Sequence, residues 1–395
     1  MKNKNIYMLG AGLLVFAATT FISSCKRNKF AGPELATAKE GFALTSSFSS
    51  TSDLLSFNSA DPTLGFSASF NQKVTWKVIV EGLNSGAKKS FSGTTTGFDE
   101  TTVLFDGRAN GVPFFQSDEY MRAMLLVEGI KDTMFIDSLE TVKAYTYHKK
   151  TRNGVKHVLV DDFESTSSGK YAPVSLAIAT DALDSDIDFI ADTNYFVDGF
   201  RSYKMLGRDD NNNGWSGGMN SENLIDFYLV QDTSQLLIDS GIKPEDLYFN
   251  MYVYGTGKSN TTVEFKVYEF DHDSIYISSE DSTYYVNNRQ DMKNAIFQPG
   301  VGGPPTAKQA YDQTINDGWI YDQEVTWTGW KLVSVPYSQF RAANDLAMGG
   351  NGDRVKESWR ICGMAVSLLS YPTTGMLTET YIDYLTITQG GRFQQ

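Results

Sequence analysis

The sequence predicts an all-β chain, built as two sandwich-like units behind an N-terminal targeting segment. Three observations lead there. Aromatic residues make up 13% of the chain, with 21 Tyr and 25 Phe, and these residues together with Thr and Val fit the half-buried pleated surface of a sheet. Short segments of alternating apolar and polar residues recur along the chain, and Gly, Asn, Ser and Pro turns divide them. The length, 395 residues, suits two domains at roughly 150 residues each.

The same composition narrows the function. Asp and Glu number 47 against 34 Lys and Arg, with no basic block, so the chain lacks the electrostatic footprint of a nucleic-acid binder. Three scattered His and two distant Cys argue against zinc fingers, disulfide scaffolds and thioredoxin-like chemistry. No nucleophile elbow, no His-Glu-x-x-His and no Walker loop occurs. Acidic pairs such as Asp209/Asp210, Glu245/Asp246 and Asp271/Asp273 carry no signature of their own, because a glycosidase needs two carboxylates placed across a cleft. The expectation is a protein that is not an enzyme.

The first element is the targeting segment, residues 1–24. Lys2 and Lys4 precede an apolar run from Ile6 to Ile22, which ends in Ile22-Ser23-Ser24-Cys25. That ending resembles a bacterial lipobox. The resemblance implies cleavage before Cys25, acylation of its thiol and new amine, and a stable membrane anchor, since two or three acyl chains hold where one is marginal. Cleavage removes two lysines and no acid, so the mature chain is more negative than the formal −13 of the whole. Residues 25–45 read as the lipidated tether, mixing charge, Gly, Pro and Ser without a period.

The next element, residues 46–152, reads as an Ig-like β-sandwich. Val74, Trp76, Val78 and Val80 alternate and should share one face. A turn follows at 82–86, then strands at Lys89–Gly93, Val103–Phe105, Tyr120–Val127 and Ser138–Tyr147. Asp106-Gly107-Arg108 reads as a hairpin turn. With no catalytic cluster, this unit is expected to be a spacer or docking module.

The last element, residues 158–395, is punctuated by strands at Leu247–Tyr254, Thr262–Phe270, Trp330–Pro336, Trp359–Ser370 and Glu379–Thr388. Four ordered patterns stand out in it: Asp161-Asp162-Phe163-Glu164, Tyr248 to Gly255, Gly329 to Phe340, and Tyr381 to Ile387. Together they resemble the galactose-binding-like jelly roll, and most nearly the family 11 carbohydrate-binding modules. The excess length lies near 271–325, which reads as an insertion. With the signal and the Tyr-, Asn- and Thr-rich strands, the whole chain resembles surface lipoproteins of Bacteroidetes, although the basic Lys26-Arg27-Asn28-Lys29 departs from the acidic stretch that many of them carry after the cysteine. The resemblance implies an outer-membrane, lipid-anchored protein on the cell surface rather than the periplasmic face.

Candidate site residues follow. In the related modules the concave sheet presents Tyr, Arg, Asp and His to sugar, and the matching positions here are Tyr252, Tyr254 and His272. Trp319 and Tyr321 lie two apart and could share one strand face. The run Arg208 to Gly218 reads as a flexible loop presenting Trp215 to a glycan, to a protein, or back onto the sandwich. Many jelly-roll modules hold a structural Ca²⁺ between opening and closing strands, and Asp161, Asp162, Glu164 and Asp383 supply hard oxygens there. The same carboxylates could instead cap turns or pair with Lys204 or Arg208. Asp383 is expected to share a face with Leu385 and Ile387, and a carboxylate so placed needs a partner. Two partner classes follow: an oligosaccharide or polysaccharide, or other outer-membrane proteins if the chain is a structural subunit of a complex.

Overall fold

The structure, a computed structural model, describes residues 41–57, 63–147, 151–164, 177–179, 188–207, 215–221, 238–239, 241–258, 261–270, 274–277, 281–285, 287, 291, 297–298, 306–307, 316–343, 353–370 and 377–395. Residues 1–24, expected to be a signal segment, and Cys25 lie outside the described residues. The first sandwich contains β1 (Leu44–Ser50), β2 (Leu54–Ser56), β3 (Leu64–Gly82), β4 (Lys88–Phe105), β5 (Glu119–Val127) and β6 (Met134–Lys143). The second contains β7 (Lys156–Asp161), β8 (Ala177–Ala179), β9 (Asp188–Asp192), β10 (Ser202–Gly207), β11 (Trp215–Ser221), β12 (Leu247–Thr256) and β13 (Thr262–Phe270). It continues with β14 (Ser274–Ile277), β15 (Ser282–Tyr285), β16 (Phe297–Gln298), β17 (Thr306–Ala307), β18 (Asn316–Glu324), β19 (Thr328–Pro336), β20 (Arg341–Ala342), β21 (Ile361–Leu369) and β22 (Thr378–Gln389).

In the first sandwich one six-stranded sheet, ordered β1-β3-β5-β6-β2 with β4 on β3, covers a core that runs on into Val197, Tyr252, Tyr384 and Phe393 of the second. Two register shifts in the β3–β4 pair, one next to Phe66 and one between Ser69 and Val74, break the ladder and bend it. Val74, Trp76, Val78 and Val80 are buried while Thr75 and Lys77 are exposed, which is the expected alternation. The two short strands expected at 89–93 and 103–105 are the ends of one strand, β4. The strand expected at Ser138–Tyr147 starts earlier and stops at Lys143. Beyond it Ala144 N–H turns to the Ser117 hydroxyl at 2.9 Å, and Tyr145 and Tyr147 leave the sheet to pack elsewhere.

The second sandwich has two sheets, ordered β19-β12-β22-β10-β9 with β7 on β22, and β20-β18-β13-β21-β11-β8. This is the two-sheet sandwich expected of a jelly roll. Phe249, Met251 and Val253 of one sheet meet Val263, Phe265, Val267, Val366 and Leu368 of the other. Pro336 closes β19, and the Tyr337–Gln339 turn carries Phe340 into the core, as its residue types suggested. Within the range expected as an insertion, β18 pairs with β13 along its whole length, so it is a core strand.

The last strand changes phase where simple alternation did not expect it. Asn250 faces Thr386 but Tyr252 faces Asp383, so one residue of β12 opposes two of β22. Tyr384 sits at φ 50° in this bulge. Ile382, Leu385 and Ile387 therefore all enter the core, and Asp383 lies on the opposite face, beside Tyr252. The expectation that Asp383 shares a side with Leu385 and Ile387 is corrected by that one extra residue.

Candidate functional site

The face of the β19-β12-β22-β10-β9 sheet that points away from its core is where the two sandwiches meet, and it is divided in two. Strand register places Trp330 beside Tyr254, Tyr254 beside Tyr381, and Tyr381 beside Lys204. With strands about 4.8 Å apart, this row of four side chains spans roughly 14 Å. The Tyr254 ring lies 5.4 Å from Trp330 and 5.7 Å from Tyr381, both edge-on. From the segment after β9, Tyr195 packs against the row, 4.3 Å from Tyr254 and 5.0 Å from Tyr381, with 40% of its surface exposed. The Tyr381 hydroxyl donates to Glu379 at 2.9 Å. Desolvation raises the pKa of Tyr254, helped by the Tyr195 hydroxyl, and burial with Glu379 raises that of Tyr381, so both phenols stay protonated donors. The row combines flat apolar ring faces with hydroxyl, ammonium and carboxylate groups at the rim.

One pleat further along, the same face is covered. Tyr252 is 3% exposed, with its ring 5.8 Å from Phe114 of the first sandwich and 6.3 Å from Phe393 of the C-terminal tail. Tyr384 meets Phe114 at 5.4 Å, and Phe114 meets Tyr147 at 4.3 Å. The Tyr252 hydroxyl donates to Gln395 Oε1 at 3.2 Å, and Gln395 Nε2 donates to the Gly111 carbonyl at 2.6 Å. Gln394 N–H donates to His157 Nε2 at 3.1 Å. Burial of Phe114 alone contributes about 2–3 kcal/mol to this junction. Tyr252, expected on an open sugar platform, is therefore a junction residue.

The carboxylates gather beneath the same junction. Asp383, fully buried, accepts Val197 N–H at 2.6 Å and Asp198 N–H at 3.2 Å on Oδ2, and Tyr384 N–H at 2.6 Å on Oδ1. Glu164 Oε1 accepts the N–H groups of Phe200 and Arg201, both at 2.8 Å. Asp161 Oδ1 accepts Phe163 N–H at 2.7 Å, and Asp162 Oδ1 accepts Glu164 N–H at 3.2 Å. Burial pushes Asp161 and Asp198 up to about 7, raises Glu164, and holds Asp383 well above the usual carboxylate range. Asp161 Oδ2 is buried with no hydrogen-bond partner, which suits a cation. Against it, backbone amides already occupy Asp383 and Glu164, and among the described residues no group of three or more His, Cys, Asp or Glu is placed to hold a metal. The four expected ligands do not assemble into one calcium cage here.

The remaining candidates separate. Trp319 points into the core of the second sandwich, 6% exposed, and its Nε1 donates to the buried Glu269 at 2.9 Å. It lies on the other sheet from Tyr254, so Tyr252, Tyr254 and Trp319 do not share one open groove, a clustering that would have favoured a glycan site. Trp215 opens β11 opposite Leu369, where a loop was expected, and the loop residues before it lie outside the described residues. His272 also lies outside them. A cavity of about 240 Å³ sits between Tyr321, Gln323, Leu332, Ser334, Arg392 and Phe393, and none of the aromatic row lines it. Sequence reasoning missed Tyr195 and Tyr381 as site residues. Tyr381 was recoverable, because it opens the closing pattern Tyr381 to Ile387; Tyr195 sits outside any strand and carries no periodic signal.

No family model and no curated protein sequence matches the chain. Among solved structures it is similar to the family 11 carbohydrate-binding module of Clostridium thermocellum in complex with a β-1,3-1,4-mixed-linked tetrasaccharide. Identity there is 12%, with 58% of this chain and 94% of that chain covered, at a TM-score of 0.31. The family 11 module of the Clostridium thermocellum cellulosomal cellulase Lic26A-Cel5E is similar at 11% identity, 60% and 95% coverage and a TM-score of 0.31. The tandem CBM22-1–CBM22-2 domain of Paenibacillus barcinonensis Xyn10C is similar at 10% identity, 90% and 94% coverage and a TM-score of 0.28.

Proposed function

We propose that the protein is a non-enzymatic, glycan-binding lipoprotein of the outer membrane, anchored through Cys25 and facing the cell surface. The observation that carries the reading is the row Trp330–Tyr254–Tyr381–Lys204 beside a covered half-sheet: Tyr195, 40% exposed, packs over Tyr254 and the buried Tyr381, so that Tyr195 with the half-buried Tyr254 and Trp330 forms the aromatic surface offered to a sugar. Ring faces stack on the C–H side of a pyranose, while phenol, ammonium and carboxylate groups bond its hydroxyls. With Tyr381 buried beneath Tyr195, the surface of Trp330, Tyr254 and Tyr195 spans about two strand spacings, roughly 10 Å, enough for one to two sugar units in a chain lying across the strands. Within this reading the first sandwich raises the site from the membrane and walls one flank.

A glycan array tests it, run on purified residues 26–395 with calcium and with chelator. The reading expects binding to one glycan class that is lost in Tyr254→Ala. A structural Ca²⁺ at Asp161, whose buried Oδ2 lacks a hydrogen-bond partner, is tested in the same run, and it predicts a thermal midpoint a few degrees higher in calcium than in chelator. An unchanged midpoint removes the ion from the account and leaves the sugar site standing.

A second reading, a protein-interaction subunit of an outer-membrane complex, is favoured by one patch. On the outward face of β5 and β6, Tyr120 is 59% and Phe135 51% exposed, with Leu126 nearby and Arg122 lying 5.4 Å over the Phe135 ring. A folded protein silent on the array would move the account to that surface.

A further inference from the structure

The segment that joins β9 to β10 touches both sandwiches and the aromatic row. On the side of the first sandwich, Phe114 N–H donates to the Val197 carbonyl at 2.6 Å, and the Gln116 side-chain amide donates to the Gly199 carbonyl. On the side of the second, Asp383 accepts the Val197 and Asp198 amides, and Glu164 accepts those of Phe200 and Arg201. Val197 is fully buried in the shared aromatic cluster. Gly199 has φ +55°, and a Cβ there would collide with the Glu164 carboxylate, so a residue without a side chain is needed at this point. At the near end of the segment, Ser202 Oγ donates to the Tyr195 carbonyl at 2.5 Å, which fixes the backbone that carries the ring.

Tyr195 is thus held against Tyr254 and Tyr381 by a strap whose anchors belong to two different sandwiches. We propose that the first sandwich is a working half of the ligand site: by gripping residues 197–199 it positions Tyr195 on the aromatic row, and glycan affinity depends on that grip. Tyr195 contacts the ligand; Gln116 and Phe114 are positioning residues that act through it. This rests on the glycan reading of the row. The physical reason is pre-organisation, since a ring already in place need not be ordered when the sugar arrives.

The test places 3-fluorotyrosine at position 195 of the mature chain and reads its ¹⁹F resonance. Tyr254→Leu defines the unstacked value. Gln116→Ala removes one grip and leaves the aromatic junction intact; it should move the resonance at least halfway to that value with the thermal midpoint nearly unchanged. Affinity for the strongest array glycan should fall about fivefold in Gln116→Ala, and at least as far in Tyr195→Ala. A resonance unmoved in both Gln116→Ala and Phe114→Leu overturns the positioning claim, whatever the array shows. A moved resonance with unchanged affinity overturns the link to binding. If no glycan binds, the reading of the row fails, and the fluorine signal still decides whether the first sandwich places Tyr195.

Discussion

Tyr252 and Tyr254 sit on one strand and one face, one pleat apart, and end in different worlds. Tyr252 is sealed under Phe114 and Phe393, while Tyr254 lies in a row that reaches solvent through Tyr195 and Trp330. Their own strand treats them alike: both point away from the core that Met251 and Val253 fill. What differs is the neighbour that arrives from elsewhere in the chain. The first sandwich, with the C-terminal tail, packs onto one half of the sheet, and Tyr195 packs onto the aromatic row of the other. A half-buried residue and a junction residue can therefore share a strand and a face.

The largest way to break this comparison is at Phe114. Phe114→Ala empties the covered half and should cost about 3–5 kcal/mol in urea unfolding of residues 26–395. A loss under about 1 kcal/mol would mean that the contact between sandwiches is incidental.

The pH dependence separates stability from binding. Desolvation pushes Glu269 up to about 8, against hydrogen bonds from Tyr337, Trp319 and the Glu357 amide that pull it down. The folded state therefore holds its proton more tightly than the unfolded chain. The stability so gained is fully present below pH 4.5 and is lost as pH rises through 8. Asp161 and Asp198, both raised to about 7, act in the same direction. Between pH 6 and 8 stability should fall by on the order of 5 kcal/mol, measured by urea midpoints, and Glu269→Gln should remove about half of the slope. Glycan affinity over that range should stay level, because raised phenol pKa values keep Tyr254 and Tyr381 neutral. An affinity that tracks the stability slope would tie the open half to the buried acids.

The smallest effect sharpens the role of Tyr195. Tyr195→Phe keeps the ring stacked 4.3 Å from Tyr254 and removes only the hydroxyl, so affinity should fall about twofold, or by about 0.4 kcal/mol. A tenfold loss would assign the hydroxyl, rather than the ring, to the ligand.

Much of the fold was legible because its signals are local. Alternation at Val74–Val80, the stop at Pro336 and the strand at Thr262–Phe270 each depend on residues within one pleated segment. The phase of β22 was not legible, because a bulge at Tyr384 adds one residue to the count and Tyr384 is an unremarkable choice in sequence. The site was half legible. Tyr254 follows from its strand; the burial of Tyr252 depends on Phe114, some 140 residues away in sequence, as the numbering shows. Trp319 and Tyr321 did share a face, but it is the core face, where an indole needs a partner such as Glu269.

The most direct measurement is a calorimetric titration of the strongest array glycan into residues 26–395 and into the same chain carrying Tyr254→Ala. The account predicts at least a tenfold loss of affinity, about 1.4 kcal/mol, with unfolding stability within about 1 kcal/mol of the parent. Equal affinity in a folded Tyr254→Ala protein would contradict it, because the open half of the sheet would then not be where the sugar sits.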